Sequence, residues 1–548
     1  MIPVKCRVYN YLSYTSVNDI RIDNWRCLMK KLLVLAALVM LVVPISGLTH
    51  KAETEALDLT RKFMRYSPSE ITELKQAYRA LPKMKYVVKP VLLASADIRN
   101  YLPAFSCDRN QGGTGTCWVW GCTAALEVEL NKKRQTLGLP NDRISIQYFD
   151  SNYVSASGKC AFCGGNPTKF VNFYNDKKIC IPWSNTNASF MDGSDSCAGC
   201  PSNTSAASIS TTPNYHISSM SVSQIFDPAD SQDTKINKIR SLLDDNIGVI
   251  FGFHWQGSQN FSSTWSSQTE TDVWNPVLGN SGEGNGHMVF CFGYNAIGRY
   301  WRMLNSWGCN GGNRPNGEFR LPWDNVYSDD HYAWFQLDAN LQIPPTITAL
   351  EATEVKPYSS RINGRLDNKG SETVTVYYQQ RAAGSSYTYK NIAQYDSTSK
   401  TYYIKYAGLT PNTRYYFRFV AKTAHYEIVS NEMSYETTPK APALLLPVDD
   451  MKNLALTPTL SWQTNEPEFK WANVVVMIRV EVKGQRPFYN TIWEHSQSLI
   501  SRGGPSNNIA IPRGTLSNGV TYYWKVRTRD IRGNYTPYSP IWSFSTAP

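Results

Sequence analysis

The chain has 548 residues, too many for one hydrophobic core, so two to four domains are expected. Hydrophobic residues make up 42% and charged residues 18%, which is a globular balance. The net charge of +11 is modest over this length, and no Lys/Arg cluster reaches the density of a nucleic-acid groove, so nucleic acid is not an expected partner. Aromatic residues reach 13%, which favours strands, where rings are drawn in for packing alone.

The first readable element is an export signal. Met29-Lys30-Lys31 precedes an unbroken apolar run from Leu32 to Val43, followed by Pro44-Ile45-Ser46-Gly47. A basic head, a short apolar stretch and small residues describe a signal peptide, and the run is too short for an ordinary membrane span. Met29 is then the expected start, residues 1–47 are leader and signal, and Cys6 and Cys27 are absent from the working protein. No later apolar run has spanning length, so no membrane span is expected in the mature protein, which is secreted or held at a cell surface.

Residues 48–94 read as a pro-segment. Glu53 to Tyr66 is charged and helix-prone, Pro68 interrupts it, Ser69 to Ala80 forms a second short helix, and Pro82 ends that one. A solvated helical pair is the plainer alternative.

Residues 95–342 hold every cysteine after Met29, ten in all. In an oxidising compartment disulfides are the default. Within this span Trp118 to Lys133 reads as a helix, which places Cys117 at its N-terminus, where unpaired N–H groups favour a thiolate. Cys122 lies about 140° around the axis and faces elsewhere. A thiolate nucleophile needs a histidine base close in space. His216, His254, His287 and His331 are the candidates. His287 opens an alternating strand behind the Gly282–Gly286 approach, and Tyr300 to Asn305 reads as its antiparallel partner. That hairpin brings Asn305 to His287, where its oxygen can fix the imidazole tautomer under the shield of Trp307. His254 sits in Val249–Trp255 without such an asparagine and reads as a strand histidine. Gln111, six residues before Cys117, can donate to a developing oxyanion together with the Cys117 N–H.

Two other patterns compete. Cys160–Cys163 and Cys197–Cys200 form a CxxC pair of the kind that binds zinc. Their separation and the export signal favour disulfides, so no metal and no cofactor is expected. A Ser/Thr/Asn/Gly-rich stretch from Ser184 to Thr212 reads as a surface excursion. Asn187, Asn203, Asn260 and Asn534 have glycan-acceptor spacing.

From Ile343 cysteine vanishes and short alternating runs take over, among them Thr373–Tyr378 and Tyr415–Val420. The pattern returns beyond Pro439–Pro442 with Leu460–Trp462, Thr521–Val526 and Trp542–Thr546. Two β-sandwich units, 343–440 and 441–548, are the economical account.

Gln111-Gly112-Gly113-Thr114-Gly115-Thr116-Cys117-Trp118, His287-Met288-Val289 with Gly293-Tyr294, and Asn305-Ser306-Trp307-Gly308 together resemble the papain-like cysteine peptidases. Asp97-Ile98-Arg99, Ile144–Phe149 and Cys163-Gly164-Gly165 resemble further family segments, over roughly residues 95 to 325. The resemblance implies an α+β, two-lobed fold with a helical lobe and a β-barrel-like lobe. It also implies peptide-bond hydrolysis with Cys117 as nucleophile, His287 as base and acid, Asn305 as orienter and Gln111 at the oxyanion. Gly164 and Gly165 are implied to bind substrate backbone, with Trp118 and Trp307 at the site. Thr114 stands where the family usually has a cysteine, Leu304 stands where it usually has lysine, and the second tryptophan after Asn-Ser-Trp-Gly is missing. Leu409–Tyr415 resembles the corner of fibronectin type III domains, and Gly519–Tyr522 is a looser copy. Such modules imply attachment to a cell surface, a polysaccharide or a protein. The expected protein is a secreted endopeptidase acting on polypeptides. A non-catalytic adhesion protein on the same scaffold and a transpeptidase are the alternatives.

Overall fold

The computed structural model describes residues 63–548 except 86–87, 104–107, 193–201, 203, 256–260, 277–283, 310–312, 325, 328–330, 388–390, 465–472, 483–490, 501–505 and 529–534. All of them belong to the unit Arg61–Pro548. The export signal, Glu53–Lys62, Cys107, Cys197 and Cys200 lie outside the described residues.

The strands of the first half are β1 (Met64–Tyr66), β2 (Ser95–Asp97), β3 (Ile179–Cys180), β4 (Tyr215–Gln224), β5 (Val249–Trp255), β6 (Gly284–Asn295), β7 (Tyr300–Leu304), β8 (Glu318–Pro322) and β9 (Tyr332–Gln342). The helices are α1 (Pro68–Arg79), α2 (Cys117–Thr136), α3 (Ile146–Asn152), α4 (Pro167–Lys177), α5 (Gln232–Asp244) and α6 (Phe261–Ser267). One nine-stranded sheet runs β3-β4-β9-β5-β6-β7-β8, with β1 and β2 also paired to β6. Among the described residues the β-barrel-like lobe expected from the resemblance is not formed. The two ends of the path, β3 and β8, do not pair with each other, and β3 is two residues long, so the sheet stays open. The fold is α+β with several open sheets.

Helix α2 explains how the helical half meets this sheet. Residues from Cys117 to Leu126 are buried on every side of the helix, so α2 is a central strut and not a surface helix. Its one buried carboxylate, Glu127, is ion-paired with Arg109 and also accepts from the Ile144 N–H at 3.0 Å. Buried charge is tolerable only with such pairing. Helix α3 begins where Ser145 accepts from the Tyr148 N–H at 2.9 Å, and α4 where Asn166 accepts from the Lys169 N–H at 3.0 Å. Their rings pack together: Phe149 stacks on Tyr153 and on Phe170 at 4.9 and 5.3 Å.

Helix α1 appears where Ser69 to Ala80 was expected, started by a capping box between Ser67 and Glu70. The stretch just before it departs from expectation. Met64–Tyr66 is a strand, because its Met64 and Tyr66 side chains turn inward while Arg65 faces water. That alternation suits the free edge of β6, where Met64 opposes Gly286 and Tyr66 opposes Gly284.

Among the described residues the second half holds four further sheets, of four, five, three and five strands. Ile347, Ile362, Val376, Phe417 and Phe419 fill the core of the first sheet pair. Leu460, Trp462, Trp524, Val526 and Phe544 fill that of the second. Each has a tyrosine corner: Thr410 N–H donates to the Tyr415 hydroxyl at 3.0 Å, and Ser517 N–H to the Tyr522 hydroxyl at 2.7 Å. Replacing Tyr415 by Phe should cost about 1 kcal/mol in urea unfolding, the worth of one net hydrogen bond. An unchanged midpoint would show that corner to be idle.

Where β9 passes into the first sandwich, the Tyr426 hydroxyl accepts from the His216 N–H and donates to the Gln342 carbonyl, both at 2.7 Å. The His216 and His425 rings stack there at 3.7 Å, with Glu372 held by His425 Nδ1 at 2.6 Å.

Candidate active site

Cys117 is the first residue of α2, and Thr116 before it makes no side-chain cap. The thiol is fully buried. Burial pushes its pKa up to about 12, against the pull of N–H groups from Met288, Trp118, Cys117 itself and Met64. Helix N-terminus and strand β6 therefore present donors to one sulfur atom. In this closed state the group is a thiol at neutral pH.

The hairpin β6–β7 does what its sequence pattern promised. Phe290 opposes Leu304 and Tyr294 opposes Trp301, so Asn305 leaves β7 beside His287. His287 Nε2 donates to Asn305 Oδ1 at 2.7 Å, and both side chains are buried. The same oxygen accepts from the Ser306 N–H at 2.8 Å, which fixes the amide orientation. Trp307 lies 4.7 Å from the imidazole between ring centres. Phe253 and Phe261 close in at 5.6 Å each. Water is thereby kept from the His287–Asn305 bond.

Gln111 is tied on both ends. Its carbonyl oxygen accepts from the Ser306 hydroxyl at 2.6 Å, while its amide nitrogen donates to the Thr114 carbonyl within the same loop. The Gln111 N–H also donates to the Ser306 carbonyl at 2.8 Å. The loop before the thiol is thus stitched to the segment after Asn305.

Trp118 is buried beneath the site, not beside it. Its indole N–H donates to the Ala161 carbonyl at 3.0 Å, and its ring supports Gly165 from below. A Cβ on Gly165 would stand 2.5 Å from that ring, so only glycine fits. Gly164 adopts φ 93°, a left-handed conformation that favours glycine as well.

The remaining site candidates sort by position. His254 lies on β5 opposite Gly286, and its N–H donates to the His331 carbonyl at 3.1 Å. His216 lies at the junction with the first sandwich. Cys122 is buried, with its thiol raised well above normal by that burial. Asp97 and Arg99 hold β2 to the sheet through Arg302 and Glu318: Arg302 meets Asp97 at 2.6 Å and Glu318 at 2.8 Å. Among the described residues no group of three or more His, Cys, Asp or Glu side chains is arranged to hold a metal ion.

Sequence reasoning missed what fills the cleft. The Phe63–Tyr66 strap crosses it. Phe63 meets Trp307 at 5.0 Å and His287 at 5.9 Å between ring centres. The Tyr66 hydroxyl donates to the Gly165 carbonyl at 2.9 Å and lies as close to the Met64 sulfur. The signal was the alternation of Met64, Arg65 and Tyr66, hidden at the end of a helix-prone stretch.

The description "Rha78A-like, N-terminal immunoglobulin domain" matches residues 451–548. No curated protein matches the chain. Among solved structures, xylellain, a cysteine protease from Xylella fastidiosa, is similar over 46% of this chain and 91% of its own, with 16% identity and a TM-score of 0.31. The FN1–FN3 domains of chicken CNTN1 are similar over 37% of this chain and 66% of theirs, with 13% identity and a TM-score of 0.18. The sensor domain of the anti-sigma factor RsgI4 from Pseudobacteroides cellulosolvens covers 17% of this chain and 95% of its own, with 17% identity and a TM-score of 0.15. These amount to a distant, partial match to a cysteine-protease fold and to an immunoglobulin- or fibronectin-like domain near the C-terminus.

Proposed function

We propose that the chain is an exported papain-like cysteine endopeptidase, kept latent by the strap in its own cleft. The observation that carries the reading is the 2.7 Å bond between His287 and Asn305 under Trp307, with Cys117 at a helix N-terminus facing the amide next to His287. In this reading His287 takes the Cys117 proton, and the thiolate attacks a substrate carbonyl. The tetrahedral oxyanion is met by the Cys117 N–H and an amide hydrogen of Gln111. The imidazolium then protonates the leaving amine, and water enters by the reverse route to release the acid. Asn305 holds the imidazole in the tautomer that faces the sulfur. Gly164 and Gly165 leave room for the substrate backbone.

Latency follows from the strap. The Met64 N–H donates to the sulfur, so the strap offers Cys117 a donor where a substrate offers an electrophilic carbonyl. The pro-segment reading of residues 48–94 rests on this. Among the described residues no helix is long and apolar enough to cross a membrane. The sandwiches, 343–440 and 441–548, serve as attachment modules for a cell surface, a polysaccharide or a protein.

The test is covalent labelling with an epoxysuccinyl peptide, read by mass spectrometry on the chain freed of its strap. One adduct on Cys117, absent from Cys117→Ala, is expected. No adduct at Cys117 after reduction and strap removal would end the peptidase reading.

A further inference from the structure

The passage from the first half into the first sandwich is packed, not slack. Strand β9 ends at Gln342 and the next strand starts at Thr346, so only Ile343, Pro344 and Pro345 link them. Ile343 is buried. Its N–H donates to the Ser371 hydroxyl at 2.8 Å, and the Ser371 N–H donates back to the Ile343 carbonyl at 3.1 Å. A Cβ on Gly370 would stand 2.3 Å from that carbonyl oxygen, so the sandwich closes directly on the link. Just past the end of α2, the Leu137 carbonyl accepts from the Asn368 side-chain amide at 3.0 Å.

These bonds join neutral groups. The part of the junction that can change its charge in the ordinary pH range is a pair of histidines. His216 is the second residue of β4, flanked by Ile179 of β3 and Gln342 of β9. Its ring lies nearly parallel to that of His425, with 16° between the planes and 3.7 Å between the centres. Neutral rings pack well at that separation, whereas two imidazolium cations repel. The sandwich brings Glu372 and Tyr426 to the pair. The Glu372 carboxylate accepts from His425 Nδ1 at 2.6 Å and from the Thr423 hydroxyl at 2.7 Å, and the Tyr426 hydroxyl accepts from the His216 N–H. The first half brings Lys178, the residue after α4. Burial pushes the His216 pKa down, His425 and Lys178 push the same way, and Glu372 opposes them. Burial raises the Glu372 carboxyl, but the bonds from Thr423 and His425 outweigh it and hold the group below its usual range. Glu372 is therefore charged wherever histidine titrates, and it can balance one proton on the pair but not two.

We propose that the His216–His425 stack is an acid-sensitive clasp, which holds the first sandwich on the first half at neutral pH and releases it in acid. Once the two parts separate, His216 regains the ordinary histidine pKa of about 6.5, whereas the docked ring takes a proton less readily. The open form therefore binds more protons as pH falls below about 6.5. Docking is fully favoured above that value and weakens by up to about tenfold per pH unit below it, until the docked ring titrates too. Ile343, Pro344 and Pro345 then act as the hinge, and a rigid pair becomes a tethered one. The inference uses no residue of the peptidase site and stands apart from that reading.

Amide hydrogen exchange on the full chain reads the clasp. The His216 N–H is bonded to Tyr426 and the Ile343 N–H to Ser371, so both lose their partners when the sandwich leaves. Corrected for the intrinsic effect of pH, their protection should fall by about tenfold or more between about pH 7.5 and about pH 5, while that of the β6 amides holds. His216→Phe keeps a flat ring that cannot be charged, and that chain should stay protected in acid. His425→Phe makes the same test from the sandwich side. Protection in the parent chain that does not change with pH, or an acid loss as large in both phenylalanine chains, would overturn the inference. So would loss of protection in both of them already at neutral pH, since the junction would then depend on something other than the charge of the rings.

Discussion

Replacing Tyr66 by alanine should raise the rate of covalent labelling at Cys117 in the intact chain by about a hundredfold. The tyrosine is almost fully buried, bridges the cleft to Gly165 and packs against His254. Losing such a ring costs about 3 kcal/mol or more, and here that cost falls on the closed state of the strap. The pH dependence should change with it. In the closed state burial holds the thiol pKa up at about 12, so the closed form keeps its proton more tightly than the open form. Closure is then fully favoured at neutral pH and weakens as pH rises toward 12. The intact chain should therefore label faster with each step into the alkaline range. The Tyr66→Ala chain should label well at neutral pH and gain little further. Identical rates and identical pH profiles for the two chains would mean that the strap does not guard the thiol.

The second large effect is expected at His287. In a strap-opened chain, His287→Ala should lower peptide hydrolysis by about 10⁴-fold or more, the scale seen when a base is removed from a nucleophile–base pair. Asn305→Ala should act more gently, by about tenfold, since it removes one hydrogen bond and frees the imidazole to turn. The assay is the release of new amino termini from a polypeptide substrate. Equal losses at both positions would point to collapse of the hairpin. Unfolding curves that match the parent chain would locate the loss in chemistry.

How far the sequence foretold this arrangement depended on the range of the interaction. The β6–β7 hairpin was legible because alternation and a short turn decide it locally, and Asn305 followed from the register. The start of α2 at Cys117 was legible for the same reason. The open sheet was not, because closure depends on whether β3 and β8 meet, and no local pattern records that. Met64–Tyr66 reads as helix by composition and becomes a strand only because β6 offers it an unpaired edge. Trp118 sits next to the thiol in sequence, yet its indole turns down to Ala161 and supports the glycine above it. Gln111 could be placed at the site from its motif, but not its bond to Ser306, which joins loops 195 residues apart.

The strap's attachment to its own chain sets the terms on which any peptide can compete with it. Both would use the edge of β6 at Gly284–Gly286, as an added strand. A tethered competitor acts at an effective concentration of about millimolar, whatever the amount of protein in solution. Free peptides at micromolar levels therefore lose to it even when their intrinsic affinity is equal. A single cut on the C-terminal side of the strap ends that advantage, because the released segment is then diluted to the concentration of the protein itself. Activation by proteolysis at such a point is a switch of concentration and needs no change in any contact within the cleft.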